Sequence, residues 1–131
     1  MPHLKINRIH HIAIICSDFE VSKYFYTKVL GFEIIRETLR EERGSYKLDL
    51  SLNGVYALEL FSFPSPPVRI TRPEATGLRH LAFEVDNVLD AIKYFSSHNI
   101  AAEPIRTDEM TGKKFTFIAD PDQLPIEFYE R

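Results

Sequence analysis

Cysteine is nearly missing from this chain. Cys16 stands alone among 131 residues, which excludes an internal disulfide and fits a reducing compartment. A small apolar residue at a strand end is all that Cys16 needs to be, and it is given no role. Long apolar runs are missing as well: none approaches the roughly 20 residues of a membrane span. The start, Met1-Pro2-His3-Leu4-Lys5-Ile6, has no signal-peptide core, so the expectation is a cytoplasmic protein without a membrane partner. Nor is there a basic excess. The net charge of −3 excludes the electrostatic footprint of a nucleic-acid binder. What remains is ordinary for a globular domain, 44% hydrophobic and 27% charged, at a single-domain length that can bury a core.

What the chain does have is a repeat. His11-Ile12-Ala13-Ile14 returns as His80-Leu81-Ala82-Phe83, and Leu58-Glu59-Leu60-Phe61 as Ile126-Glu127-Phe128-Tyr129. The His-to-Glu separation is 48 residues in the first copy and 47 in the second. Lys23-Tyr24-Phe25 is echoed by Lys93-Tyr94-Phe95. Two copies are too few for a solenoid, so two modules are expected to pair through their sheets.

The elements repeat in the same order. Arg8 to Cys16 reads as a β-branched strand. Ser17-Asp18-Phe19-Glu20 has the capping-box pattern of serine with glutamate three residues on. The helix it opens carries Val21, Tyr24, Phe25 and Lys28-Val29 at helical spacing, and Gly31 stops it. Phe32 to Thr38 is the next strand. Tyr46 to Leu52 alternates, with Leu48, Leu50 and Leu52 on one face and Lys47, Asp49 and Ser51 on the other. Asn53-Gly54 is a hairpin turn into Val55 to Phe61. Residues 63–77 hold Pro64, Pro66, Pro67 and Pro73 and read as an extended connector. Then come a strand from Leu78 to Val85 and a helix capped by Asp86 or Asn87. Strands over Ile100 to Arg106, Lys114 to Ala119 and Pro125 to Glu130 follow, with Asp120-Pro121-Asp122 turning into the last. The reading is an α+β fold of tandem βαβββ modules, one over about 1–62 and one over about 78–131, in a single domain.

Strand alternation assigns faces. Tyr56, Leu58 and Leu60 are expected toward the helix, leaving Ala57, Glu59 and Phe61 opposite; Ile126 and Phe128 likewise, leaving Glu127 and Tyr129. His11 shares its face with Ala13 and His80 with Ala82, and each alanine leaves room for a ligand. His11, Glu59, His80 and Glu127 therefore lie on helix-free faces. Two carboxylates on a partly closed surface repel and lose hydration unless a cation neutralises them. Two imidazoles with two carboxylates suit Zn, Ni, Fe(II), Mn or Co. A closed tetrahedral structural zinc is the competing use of the same donors.

The His-x-Ala strand, Phe25-Tyr26 to Leu30-Gly31-Phe32, Leu58-Glu59-Leu60-Phe61, Arg79-His80-Leu81-Ala82-Phe83 and Asp120-Pro121-Asp122 with Ile126-Glu127 together resemble the glyoxalase I (lactoylglutathione lyase) family of the vicinal oxygen chelate superfamily. The resemblance spans essentially the whole chain. It implies modules that form a cup-shaped mixed sheet around one divalent ion per site, zinc or nickel first, with His11, Glu59, His80 and Glu127 as ligands. It implies a lyase or isomerase that chelates two adjacent oxygens of a small substrate and stabilises an enediolate. Glu127 would act as the catalytic base and Glu59 would assist from the opposite face. The site could form within one chain or across a homodimer. Short chains of this family commonly swap modules, so the resemblance favours a homodimer in which His11 and Glu59 of one subunit meet His80 and Glu127 of the other. Ile14-Ile15-Cys16 and Phe61-Ser62-Phe63-Pro64 replace stretches that serve glutathione in that family, so the chemistry carries over better than the substrate.

Two other functions use the same residues: an extradiol-type Fe(II) dioxygenase, disfavoured by the fourth ligand, and a non-catalytic small-molecule binding module. Lys47 and Asp49 line the cup or form a cross-strand ion pair of small value. Thr111-Gly112-Lys113-Lys114 reads as a solvated hairpin, and Arg36, Arg40 and Arg43 among Glu37, Glu41 and Glu42 as a mixed-charge surface. His3 and His98 have no counterpart in the repeat. His10 also has none, and it alternates away from His11.

Overall fold

The computed structural model describes residues 3–131. The chain divides into two compact units at the Pro66–Pro67 bond, inside the proline-rich stretch. In the first unit β1 (Ile12–Cys16), α1 (Phe19–Tyr24), β2 (Glu33–Arg40), β3 (Ser45–Leu52) and β4 (Val55–Ser62) follow one another. In the second the order is β5 (Leu81–Val85), α2 (Val88–Ser97), β6 (Arg106–Thr107), β7 (Lys114–Ala119) and β8 (Pro125–Glu130). Each unit is one four-stranded mixed sheet, ordered β1-β4-β3-β2 and β5-β8-β7-β6. β1 lies parallel to β4 and β5 to β8, while the other neighbours are antiparallel. This is the expected βαβββ architecture, twice.

Local chemistry explains the boundaries. Asp18, rather than Ser17, caps α1 by accepting from the Val21 amide. α1 then widens into a π-helical segment, Phe25–Val29, and Gly31 turns the chain out at a φ of 85°. Asn87 caps α2 through the Asp90 amide. Asn53 and Gly54, at φ of 51° and 81°, form the hairpin turn. The strand over 100–106 is reduced to Arg106–Thr107. Pro104 has no amide proton for a ladder, and Glu103 instead donates its N–H to the Phe117 carbonyl and accepts from the Thr116 hydroxyl.

Each sheet buries the face that its helix covers. Tyr26, Leu48, Leu50, Leu58 and Leu60 are fully or almost fully buried in the first unit; Val88, Phe95, Ile126 and Phe128 are buried in the second. Phe95 of α2 meets Phe128 of β8 at 4.8 Å between ring centroids. Leu52, at the hairpin end, leaves this pattern and is part-exposed. Among the described residues no helix is long and apolar enough to cross a membrane.

Candidate metal centre

His11 immediately precedes β1, and Ala13 of β1 pairs directly with Glu59 of β4. The small alanine opposite the carboxylate lets the imidazole of His11 fold over it, and His11 Nε2 reaches Glu59 Oε1 at 3.2 Å. The other carboxylate oxygen is held from behind: Glu59 Oε2 accepts from the Tyr56 hydroxyl at 2.7 Å, and Lys47 Nζ stands 3.2 Å away. The same hydroxyl lies 2.8 Å from Asp49 Oδ1, and Asp49 sits directly across from Glu59 in the β3–β4 register. One phenolic proton is thus shared between two carboxylates, and Lys47 supplies positive charge to both, 3.7 Å from Asp49. Burial alone would raise the Glu59 carboxyl. The Tyr56 and Lys47 hydrogen bonds, with the charges of Lys47 and His11, outweigh it and hold Glu59 below the ordinary carboxylate value. Tyr56 itself is pushed far up, by burial first and then by its two carboxylate partners.

Tyr56 was expected on the helix side, and it is not there. The β3–β4 register shifts between Leu50 and Ser51, so that Leu50 faces Leu58 while Ser51 faces Tyr56. Ala57 is the extra residue of this β-bulge. It rotates Tyr56 onto the face of Asp49 and Glu59. His10 is also nearer than alternation placed it. β1 begins only at Ile12, so residues 10 and 11 obey no strand period, and His10 Nδ1 lies 2.8 Å from His11 Nδ1. His11 stacks on Tyr56 with its ring centroid 5.3 Å away, and His10 meets both rings edge-on. With Nε2 of His11 turned to a ligand, its Nδ1–H donates to His10.

The second unit repeats the pair in different surroundings. His80 precedes β5, Ala82 pairs with Glu127, and His80 Nε2 lies 3.3 Å from Glu127 Oε1. The register positions of Lys47 and Asp49, opposite Phe61 and Glu59, are taken here by Phe115 and Phe117, opposite Tyr129 and Glu127. Three residues before each glutamate stands Tyr56 in one unit and the buried Leu124 in the other. Among the described residues no hydroxyl or ammonium holds Glu127 as Tyr56 and Lys47 hold Glu59. Its neighbour is apolar: Phe117 meets the His80 ring edge-on at 5.1 Å.

A divalent ion with Zn-like bonds of about 2.0–2.2 Å sets neighbouring donors roughly 3.0–3.4 Å apart. The imidazole–carboxylate spacings of 3.2 and 3.3 Å fit that edge, with Oε1 of each glutamate directed at the ring nitrogen. The four expected ligands are therefore arranged as two pairs. Among the described residues no group of three or more His, Cys, Asp or Glu side chains gathers to hold an ion.

A family model matches residues 8–128: the Glyoxalase/Bleomycin resistance protein/Dioxygenase superfamily. The chain belongs to this superfamily. It is 65% identical over 126 residues to the protein YwkD of Bacillus subtilis (strain 168), covering 96% of this chain and 98% of that one. A glyoxalase family protein from Enterococcus faecalis shares its structure, with a TM-score of 0.87 at 46% identity over 94% of this chain and 97% of that one. More distantly, it is 28% identical over 141 residues to the lactoylglutathione lyase of Schizosaccharomyces pombe (strain 972 / ATCC 24843), over 92% of this chain and 46% of that one. Members of the superfamily generally use divalent metals.

Proposed function

We propose that the chain is a metal-dependent lyase or isomerase of glyoxalase type, acting on a small substrate with two adjacent oxygens. The observation that carries this reading is the matched His–Glu pair in each unit, 3.2 and 3.3 Å apart. A pair supplies two donors where a divalent ion takes four to six, and the arrangement we favour joins His11 and Glu59 of one protomer with His80 and Glu127 of a second copy. Zinc or nickel is the first expectation for this donor set. The residues 3–11 that lead into β1 support an assembly of copies. They carry Leu4, Ile6 and Ile9, all more than three-quarters exposed, and exposed apolar side chains grouped in one segment mark an interaction surface.

An ion bound there would supply Lewis acidity, which would make a C–H next to a coordinated oxygen acidic. The protein's part divides between its two glutamates. Glu59 is fixed by Tyr56 and Lys47 and serves as the constant ligand. Glu127 has no hydrogen bond of that kind among the described residues, so it is the carboxylate that would take the proton. Glutathione is one candidate carrier of the substrate, as the distant likeness to a lactoylglutathione lyase suggests.

Metal analysis of the purified protein, coupled to a hemithioacetal isomerase assay with Ni, Zn, Mn or Fe added back, tests the assignment. Glu127→Gln is expected to retain metal and fold while turnover falls by about 10²-fold or more. Unchanged rates in that variant would remove Glu127 from the role of base.

A further inference from the structure

The second unit contains a cavity of about 350 Å³ beside His80 and Glu127, a volume suited to a small metabolite. Its walls are rich in arginine. Arg69, Arg72, Arg79 and Arg106 line it, against Glu74, Glu103 and Glu127. These guanidinium groups are not equivalent. Arg69 is committed to structure, donating to the Thr71 hydroxyl and to the carbonyls of Leu78 and Arg79. Arg79 is paired with Glu74. Arg72 has no ion-pair partner among the described residues.

Arg106 is built differently from the rest. Its guanidinium carbon lies 5.1 Å from the Phe115 ring centroid and 5.3 Å from that of Phe117, and one terminal nitrogen is 3.2 Å from Glu103. Ring faces and a single carboxylate therefore hold the fork in place, while its remaining N–H donors have no protein acceptor among the described residues. Phe117 connects this group to the candidate metal pair, since the same ring meets His80 edge-on and pairs in register with Glu127. If Glu127 is engaged by an ion, the lining keeps four positive groups against two carboxylates.

We propose that the substrate carries an oxyanion, a carboxylate or a phosphate, in addition to its two adjacent oxygens, and that Arg106 receives it while Phe115 and Phe117 support the carbon skeleton between. Arg106 is then a specificity-determining residue, and the substrate class is a small hydroxy or oxo acid or its phosphate. This rests on the metal reading above for the position of the adjacent oxygens. The Arg106 subsite itself does not require the ion.

Two probes separate the possibilities. Acetohydroxamate and succinic monohydroxamate offer the same pair of adjacent oxygens, and only the second adds a carboxylate. The zinc-loaded protein is expected to bind the second about tenfold more tightly or better. Arg106→Met should abolish that preference, leaving acetohydroxamate affinity and zinc stoichiometry unchanged, and Arg106→Lys should restore part of it. Inorganic phosphate, titrated into metal-free protein, should shift the Arg106 Nε–H resonance saturably. A response to either probe that depends on Arg106 upholds the subsite and tells carboxylate from phosphate. Absence of both overturns it. Zinc uptake is scored separately, so a protein that takes no zinc yet responds to phosphate loses the metal reading alone.

Discussion

Tyr56 is the side chain on which the first half-site turns. Its hydroxyl stands between Asp49 and Glu59 at 2.8 and 2.7 Å, and Asp49 Oδ2 has no hydrogen-bond partner of its own. Tyr56→Phe would leave two nearly buried carboxylates facing each other with Lys47 as their shared cation. Metal affinity is expected to fall by about 10- to 100-fold, read by competition with a metal indicator, and stability by roughly 1–3 kcal/mol, read by urea denaturation. His11, Glu59, His80 and Glu127 are legible in the sequence because each repeats beside an alanine or in an apolar strand. Tyr56 is not, because one extra residue, Ala57, reverses its direction, and no composition or periodicity marks a bulge. His10 departs from alternation for a related reason: it precedes β1, which begins at Ile12.

Among the elements, those with strong local signals match the reading closely. Asn53-Gly54 and the β7 and β8 runs stand where turn and strand chemistry put them, and of the two candidate caps, Asp86 and Asn87, the second is used. β6 does not, since residues 100–105 find their bonds through Glu103 and Thr116 instead of a ladder. Arg106 was therefore read as the end of an ordinary strand, and its place over Phe115 and Phe117 depends on pairing that no local pattern announces. The turn between β6 and β7 is the expected solvated hairpin, with residues 109–114 exposed, and hydrogen bonds tie it to β8. Asp108 accepts from the Met110 amide and the Tyr129 hydroxyl, and Thr111 bonds to Tyr129. The Met110 amide foremost, then Tyr129, holds the Asp108 carboxyl below its ordinary value. A carboxyl depressed in the folded state stabilises above its unfolded pKa of about 3.9, and that contribution is lost as pH falls through the lower folded value. Asp108→Asn should lower Tm near neutral pH and flatten its dependence on acid below about pH 4, seen by thermal melts across that range.

For the whole molecule, the decisive question is which chains complete a site. His11→Ala and His80→Ala are each expected to lose metal. If the ligands come from two protomers, mixing and refolding the two variants restores one intact site in each mixed dimer. Half of the dimers are mixed, so about a quarter of the wild-type metal and activity should return. A site completed within one chain returns none. Metal content by elemental analysis, measured together with turnover, distinguishes the two.

The unlike surroundings of the two glutamates have a consequence for how the proposed site could change over time. Lys47, Asp49 and Tyr56 surround Glu59, while Phe115 and Phe117 take the register positions of Lys47 and Asp49 beside Glu127. If the proposed ion and substrate are held as argued above, substitutions along β7 would alter which molecule is accepted and leave the residues around Glu59 unchanged. Two identical halves would give no such latitude, because every change toward a new substrate would also alter the residues that hold the first glutamate.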